Sequence, residues 1–427
     1  MGFFILFIVL ITIGIPIGMV LAITGLLPGL LNPQNVAIAP PLIVRAMING
    51  VDSFPILAVP MFILSGNIMA KGKISEKLFN FFSYFIGNIP AGMPIATVVT
   101  CLFYGAISGS GPATTAAVGA MTIPILVNLG YEKIFVTSLV AVAGGLGVII
   151  PPSIPFIFYG QAANQSVGHL FIAGIVPGLL IGGCLMLYSY YFCKKHGEDR
   201  AKLKAHTAQI REKGFLKLLY SSFGALMSPV IILGCIYGGV ASPTEAAVIS
   251  VFYSIFLSLF VYKTIKFKEI AEIFLGTVGT YATILFIIAA AIGFGRVVTV
   301  YQVPTLVENF IANTVSSKIA FLILLNVILL FVGMIMDTTP AILILAPILL
   351  KAAEVFHINS IHFGVIMVVN LAIGFVTPPL GVNLFVASSI SGEKIEDIVK
   401  HAIPFIFAFI IALIFITFIP TLSLILL

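Results

Sequence analysis

The sequence predicts an all-α integral membrane protein made of two inverted repeats, with about 9–11 transmembrane helices, two re-entrant hairpins and broken helices. Three observations carry this. Of the 427 residues 60% are hydrophobic and 8% charged, with a mean hydropathy of +1.20, where an ordinary soluble domain carries about 25% charge. A pattern of proline and glycine recurs at a constant offset of 227 residues. Basic residues gather in alternate loops.

Apolar runs of about 20 residues, each able to cross a hydrocarbon core about 30 Å thick as a helix, recur from Phe3 to Leu427. The ~10-residue alternation of an outer-membrane barrel is missing. The first run, Phe3 to Leu31, has no basic residue before it and no small-residue cleavage site, so it reads as an uncleaved anchor. Further crossings are expected near 54–70, 133–163 and 168–193, then near 219–240, 244–262, 272–295, 361–390 and 397–425. Segments 91–129 and 319–350 read as hairpins.

The repeat pairs Pro16 with Pro243, Gly66 with Gly293, Gly147 with Gly374, Pro151-Pro152 with Pro378-Pro379 and Pro177 with Pro404. It divides the chain into a first repeat at 1–200, a basic linker with the start of an extra helix at 201–227, and a second repeat at 228–427. The polar stretch 194–217 carries eight Lys/Arg against three acids, which places it in the cytoplasm by the positive-inside rule. Counting crossings from there puts the N-terminus inside and the C-terminus outside. All Lys/Arg then fall on the cytoplasmic side except Arg45, Lys318, Lys351 and Arg296. Helix 219–240 is the extra crossing that inverts the second half, a construction used by secondary transporters.

Backbone in lipid must satisfy its own hydrogen bonds, so polar breaks at membrane depth belong where they line a cavity or are buried in protein. The stretch "SGSGP" at 108–112 is such a break and reads as a hairpin tip; Asp337, Thr338 and Thr339, before Pro340, form its counterpart, aligned only to within one to four residues. Each hairpin is followed by a Pro-Pro break whose preceding glycines, Gly144, Gly145 and Gly147, or Gly374, free further carbonyls. Hydroxyls and unwound carbonyls with one carboxylate suit a hard cation such as Na⁺.

Glu245, Arg296 and Asp337 are the charges placed in or at the edge of hydrocarbon. Arg296 has the fork to grip a carboxylate, or is a snorkelling anchor. Asp337 is a cation ligand or a helix N-cap. Ser242-Pro243-Thr244-Glu245 has the grammar of a helix start, which favours a capping role for Glu245. Segment 71–90 suits an amphipathic interfacial helix, with a repeat partner near Val303 to Asn313. The four cysteines lack CxxC spacing and read as packing residues. The six histidines lack metal spacing and mostly fall in expected loops. No nucleotide-binding or hydrolase motif is present, and the basic linker is too short for a nucleic-acid module, so an enzyme or nucleic-acid partner is not expected.

The motifs "SGSGPATTAAVGAM", "GGLGVIIPPSIPFIFYG", "GGVASPTEAA", "GRVVTVYQVP" and "FVTPPLGVNLFVASSISG" together resemble the large membrane subunit of TRAP (tripartite ATP-independent periplasmic) transporters, from end to end. The resemblance implies a bacterial inner-membrane protein of the ion-transporter superfamily with an elevator mechanism. It also implies a separate small four-helix membrane subunit and a periplasmic binding protein that delivers a carboxylate substrate. Carried over by position, one sodium site falls at Ser108, Gly109, Ser110, Gly111 and Thr114 with Gly145 and Pro151. A second falls at Asp337, Thr338 and Thr339 with Gly374 and Thr377, so two or more Na⁺ ions are expected. Arg296, Ser108, Asp337, Pro152 and Asn383 are the implied substrate contacts. Ser242 stands where the family usually has Thr. Overall similarity favours sialic acid as substrate; a C4-dicarboxylate, another organic acid, or a stand-alone transporter of the same superfamily are the alternatives.

Overall fold

A computed structural model describes residues 2–212, 214–315 and 317–427, and among these every regular element is helical. Among the described residues eight helices are long and apolar enough to cross a membrane: Phe54–Lys71, Val167–His196, Phe215–Tyr237, Pro243–Val261, Phe267–Val300, Lys318–Ile335, Thr338–Val355 and Ile395–Phe418. Shorter apolar helices come in pairs and supply the rest.

The first expected crossing is two helices, Gly2–Thr12 and Ile17–Leu31. Gly14, at φ +88°, and Pro16, which has no N–H to donate, interrupt the ladder between them. A helix that the sequence reading lacks, Pro40–Val51, follows with proline at its first position. It lies on helix Phe267–Val300, where a Cβ on Gly50 would meet Ile292 Cδ1 at 2.5 Å.

Each half contains one hairpin and one broken helix. The first hairpin is Gly92–Ser108 and Gly111–Asn128, the second Lys318–Ile335 and Thr338–Val355. Helix Thr338–Val355 begins and ends 227 residues after Gly111–Asn128, so the hairpins keep the register that residue types alone blur. Lys133–Gly144 continues as a 3₁₀ turn, Gly145–Val148, breaks, and resumes as Ile154–Ala162. Ser360–Gly374 breaks and resumes as Val382–Ser391. Both breaks contain a cis Pro-Pro bond, Pro151-Pro152 and Pro378-Pro379.

Hairpin and broken helix cross backbone to backbone. A Cβ on Gly105 would lie 2.7 Å from Gly147 Cα, and one on Gly374 would overlap the Gly333 carbonyl. Only glycine permits either approach. Helices Gly92–Ser108, Lys133–Gly144, Ile154–Ala162 and Ser360–Gly374 are buried over most of their length and form the centre of the molecule.

The basic linker is largely helical. Arg200–Glu212 buries Leu203, Thr207 and Ile210, and Arg211 donates to Tyr84 O at 3.1 Å, fixing the linker on the amphipathic helix Ile74–Ile86. Glu198 ties both ends of the first hairpin to the linker. Its carboxylate accepts from the Ala91 N–H at 3.0 Å and the Tyr131 hydroxyl at 2.6 Å, with Arg200 at 3.4 Å. Burial, and then the Glu198 carboxylate, push the Tyr131 pKa well up. Among the histidines, His362 is no loop residue: it is buried in Ser360–Gly374 against Ser423 Oγ at 3.2 Å and Thr417 O at 3.3 Å. All four cysteines are free.

Candidate functional site

Both hairpin tips open on one cavity of about 340 Å³. Ser108, Gly109, Ser110, Pro112 and Ala113 come from the first tip, and Asp337, Thr338 and Thr339 from the second. Val148, Ile154 and Pro155 of the first break and Phe375 of the second close the inner wall. The opposite wall is Ile63, Gly66 and Asn67 with Thr280 and Ile284. Thr280 and Ile284 fall at the middle of a 34-residue helix, so the tips meet at its mid-height.

Three helices start at this cavity: Gly111–Asn128, Ile154–Ala162 and Thr338–Val355. Each start carries the positive end of a helix dipole, about half a charge, although at Ile154–Ala162 the Ile154 and Phe156 N–H groups are both bonded and Pro155 has none. Ser110, Ser153 and Asp337 cap one N–H each, from Ala113 at 3.5 Å, Phe156 at 3.4 Å and Thr338 at 2.8 Å. Among the described residues Asp337 is the one charged side chain on the cavity wall, and no Lys, Arg or His lines it. Positive charge at the cavity therefore comes from the helix starts alone and is set against the Asp337 carboxylate.

Oxygen atoms crowd the first tip. Ser108 Oγ and Thr114 Oγ1 are 2.9 Å apart, and the Thr114 hydroxyl donates to Ser110 O at 2.8 Å. Gly147 packs onto Ser110 O and Thr114, while the Ile154 N–H donates to Gly109 O at 3.2 Å and so joins tip to break. Behind the tip, Gly111 faces Gly144 O and Asn383 Oδ1, which a Cβ there would meet at 3.4 and 3.5 Å. Asn383 Nδ2 donates to Ala141 O at 3.0 Å, but its buried Oδ1 has no donor. A hard cation is the partner that such an oxygen set fits. Among the described residues no group of three or more His, Cys, Asp and Glu gathers for a softer metal.

At the second tip Thr338 and Thr339 are buried beside Asp337, and Leu380 N–H donates to Met334 O at 3.0 Å. Thr377 donates its hydroxyl to Ile373 O at 2.8 Å, and Gly374 lies against Gly333. Gly145 faces Phe409 and Ala372 O, away from the tip. Pro151 and Pro152 sit in the break; the Pro152 carbonyl lies behind Gly109, off the cavity wall.

Arg296 is not brought to the cavity. Gly293 and Gly295 leave helix Phe267–Val300 unbroken, so Arg296 is exposed 12 residues beyond Ile284, about 18 Å along the axis. Glu245 completes a capping box with Ser242, its carboxylate accepting from the Ser242 N–H and hydroxyl, both at 2.7 Å. The sequence reading missed Asn67 and Thr280 on the cavity wall; their signal was a polar side chain inside an apolar helix.

The model of the family described as tripartite ATP-independent periplasmic transporter, DctM component, matches residues 4–422. The chain belongs to this family. This TRAP large permease is 42% identical over 420 residues to the isethionate TRAP transporter permease protein DctMQ of Oleidesulfovibrio alaskensis, covering 98% of this chain and 64% of that protein. It is 39% identical over 373 residues to the C4-dicarboxylate TRAP transporter large permease protein DctM of Pseudomonas aeruginosa, covering 87% and 86%. It is 33% identical over 382 residues to the sialic acid TRAP transporter large permease protein SiaM of Vibrio cholerae, covering 90% and 88%. The crystal structure of the Alcanivorax borkumensis YdaH transporter shares the fold, with TM-score 0.60 at 13% identity over 87% of this chain and 86% of that one. These relatives are transport permeases, and the TRAP permease is a transport protein, not an enzyme.

Proposed function

We propose that this chain is the large subunit of a Na⁺-coupled importer of a small organic anion, working in the bacterial inner membrane with a small membrane subunit and a periplasmic binding protein. The observation that carries the reading is the convergence of three helix starts on one cavity beside an orphaned, buried oxygen. The first serves an anion and the second a cation. Na⁺ at the oxygen sets behind the two tips neutralises Asp337 and orders the tips. The anion then docks in the positive field at the starts of Gly111–Asn128, Ile154–Ala162 and Thr338–Val355. The core carrying both hairpins moves as an elevator against the wall formed by Ala58–Lys71 and Phe267–Val300. The basic linker faces the cytoplasm, with the N-terminus inside and the C-terminus in the periplasm.

The named substrates of the relatives all bear a carboxylate or sulfonate, which suits backbone recognition of negative charge. Sialic acid, favoured by the sequence reading, has competition from isethionate and C4-dicarboxylates: the isethionate permease and the Pseudomonas aeruginosa C4-dicarboxylate permease share more identity with this chain than the sialic acid permease does. Uptake of each radiolabelled anion into proteoliposomes, with the Na⁺ gradient and binding protein varied independently, tests the proposal. Accumulation of one anion that requires both is the expected result. Uptake without a Na⁺ gradient removes the coupling, and uptake without a binding protein makes the chain a stand-alone transporter.

A further inference from the structure

Away from the transport cavity, helix Ile74–Ile86, helix Phe215–Tyr237 and the turn at Thr264 enclose a larger space of about 430 Å³. Lys73, Lys77 and Lys217 line it, against one acid, Glu76. Among the described residues none of the three lysines has a carboxylate within 4.0 Å, although other lysines of the chain do. Lys77 stands 4.3 Å over the Tyr262 ring, and burial lowers its pKa despite Glu76 beside it. Lys77 is half-buried while Lys73 and Lys217 are exposed at the mouth, and three ammonium groups facing one carboxylate leave room for an anion.

The surroundings say which anion. Both helices begin here: Lys73 is the N-cap of the first, at φ 54°, and Lys217 lies in the first turn of the second; neither start has a side-chain cap. Free N–H groups therefore add to the lysine field. Helix Phe215–Tyr237 is long enough to cross the membrane, so its first turn marks the level where hydrocarbon gives way to head groups. On its outer face Leu216 and Tyr220 are 78% and 81% exposed, an apolar rim beside a cationic hollow. A soluble anion has no use for such a rim; a lipid presents a phosphate and acyl chains together. We propose that this cavity binds the phosphate head group of an anionic phospholipid. Because the Ser222 hydroxyl donates to Lys77 O at 3.0 Å, the lipid would brace the seam between the interfacial arm and the extra helix.

Native mass spectrometry of the delipidated full chain, titrated with phosphatidylglycerol, phosphatidylethanolamine or inorganic phosphate, tests the site. Each lysine near an anionic group is worth about fivefold in affinity, so Lys73→Ala/Lys77→Ala/Lys217→Ala is expected to lose about 100-fold for phosphatidylglycerol. The control Lys194→Ala/Lys195→Ala/Lys204→Ala removes as much charge from exposed positions elsewhere and should keep wild-type affinity. Lys217→Ala alone, at an exposed residue, is the second variant and should lose about fivefold, independent of whether the triple variant folds. Equal binding by Lys217→Ala and wild type, or equal losses in the control and pocket triples, would overturn the proposal. Displacement of phosphatidylglycerol by millimolar inorganic phosphate would also overturn it, in favour of a soluble anion. Equal affinity for phosphatidylethanolamine would refute the requirement for net negative charge.

Discussion

Replacing Asn383 by leucine keeps the side chain's bulk and removes both of its polar groups. In the wild type Nδ2 donates to Ala141 O at 3.0 Å, while Oδ1 is buried near Gly111 and Gly144 O with no donor. A hydrogen bond is worth about 0.5–1.5 kcal/mol net, and an unpartnered buried acceptor costs about 1–3 kcal/mol. These two changes offset, but Ala141 O loses the Asn383 donor, so without Na⁺ the variant should lose no more than about 3 kcal/mol of stability. With Na⁺ the two part further. A dipole turned to a full charge contributes about 1.5–3 kcal/mol, so the ion's affinity should fall by about 10-fold to 150-fold. At a Na⁺ concentration 100 times the wild-type Kd, linkage stabilises the wild type by about 2.7 kcal/mol and a tenfold weaker site by about 1.4 kcal/mol. Thermal unfolding of the purified chain in sodium chloride and in choline chloride, at matched ionic strength, reads that difference. If Asn383→Leu keeps the full Na⁺-dependent rise in Tm, no cation uses this oxygen and the first cation site is misplaced.

Four further outcomes are expected. Asp337→Asn keeps an acceptor for the Thr338 N–H but loses the charge, so its Na⁺ dependence of uptake should shift at least about tenfold with little change in stability in Na⁺-free buffer. Gly374→Ala has no room against Gly333 and should lose about 3 kcal/mol or fail to fold, while Gly279→Ala, with open space around it, should match or exceed wild-type Tm. Glu198→Gln weakens the charge-assisted bonds to Ala91 and Tyr131 by about 2 kcal/mol and should speed amide exchange at Ala91, read by mass spectrometry. Arg296→Ala should leave the KM for uptake within about twofold of wild type, since Arg296 stands off the cavity; a tenfold rise would put it in the substrate path.

Backbone breaks were legible in the sequence because their causes are local. Proline removes a donor, glycine frees a dihedral, and a Ser or Asp before a helix supplies its cap, so Ser110, Asp337 and both Pro-Pro breaks announce themselves within a few residues. Partners across the chain do not. Asn67 finds Thr277 and Asn383 finds Ala141 through packing that no window of sequence contains. The same limit explains Arg296. Its charge type suggested a carboxylate clamp, yet Gly293 and Gly295 keep their places in the ladder and the helix runs on past the cavity. Three helix starts meet at one cavity, and their half-charges oppose the Asp337 carboxylate without a cationic side chain. Such a site holds an anion by geometry that depends on both tips being in place. On the reading proposed above, this ties substrate binding to the cation that orders the tips, which is the coupling a symporter requires.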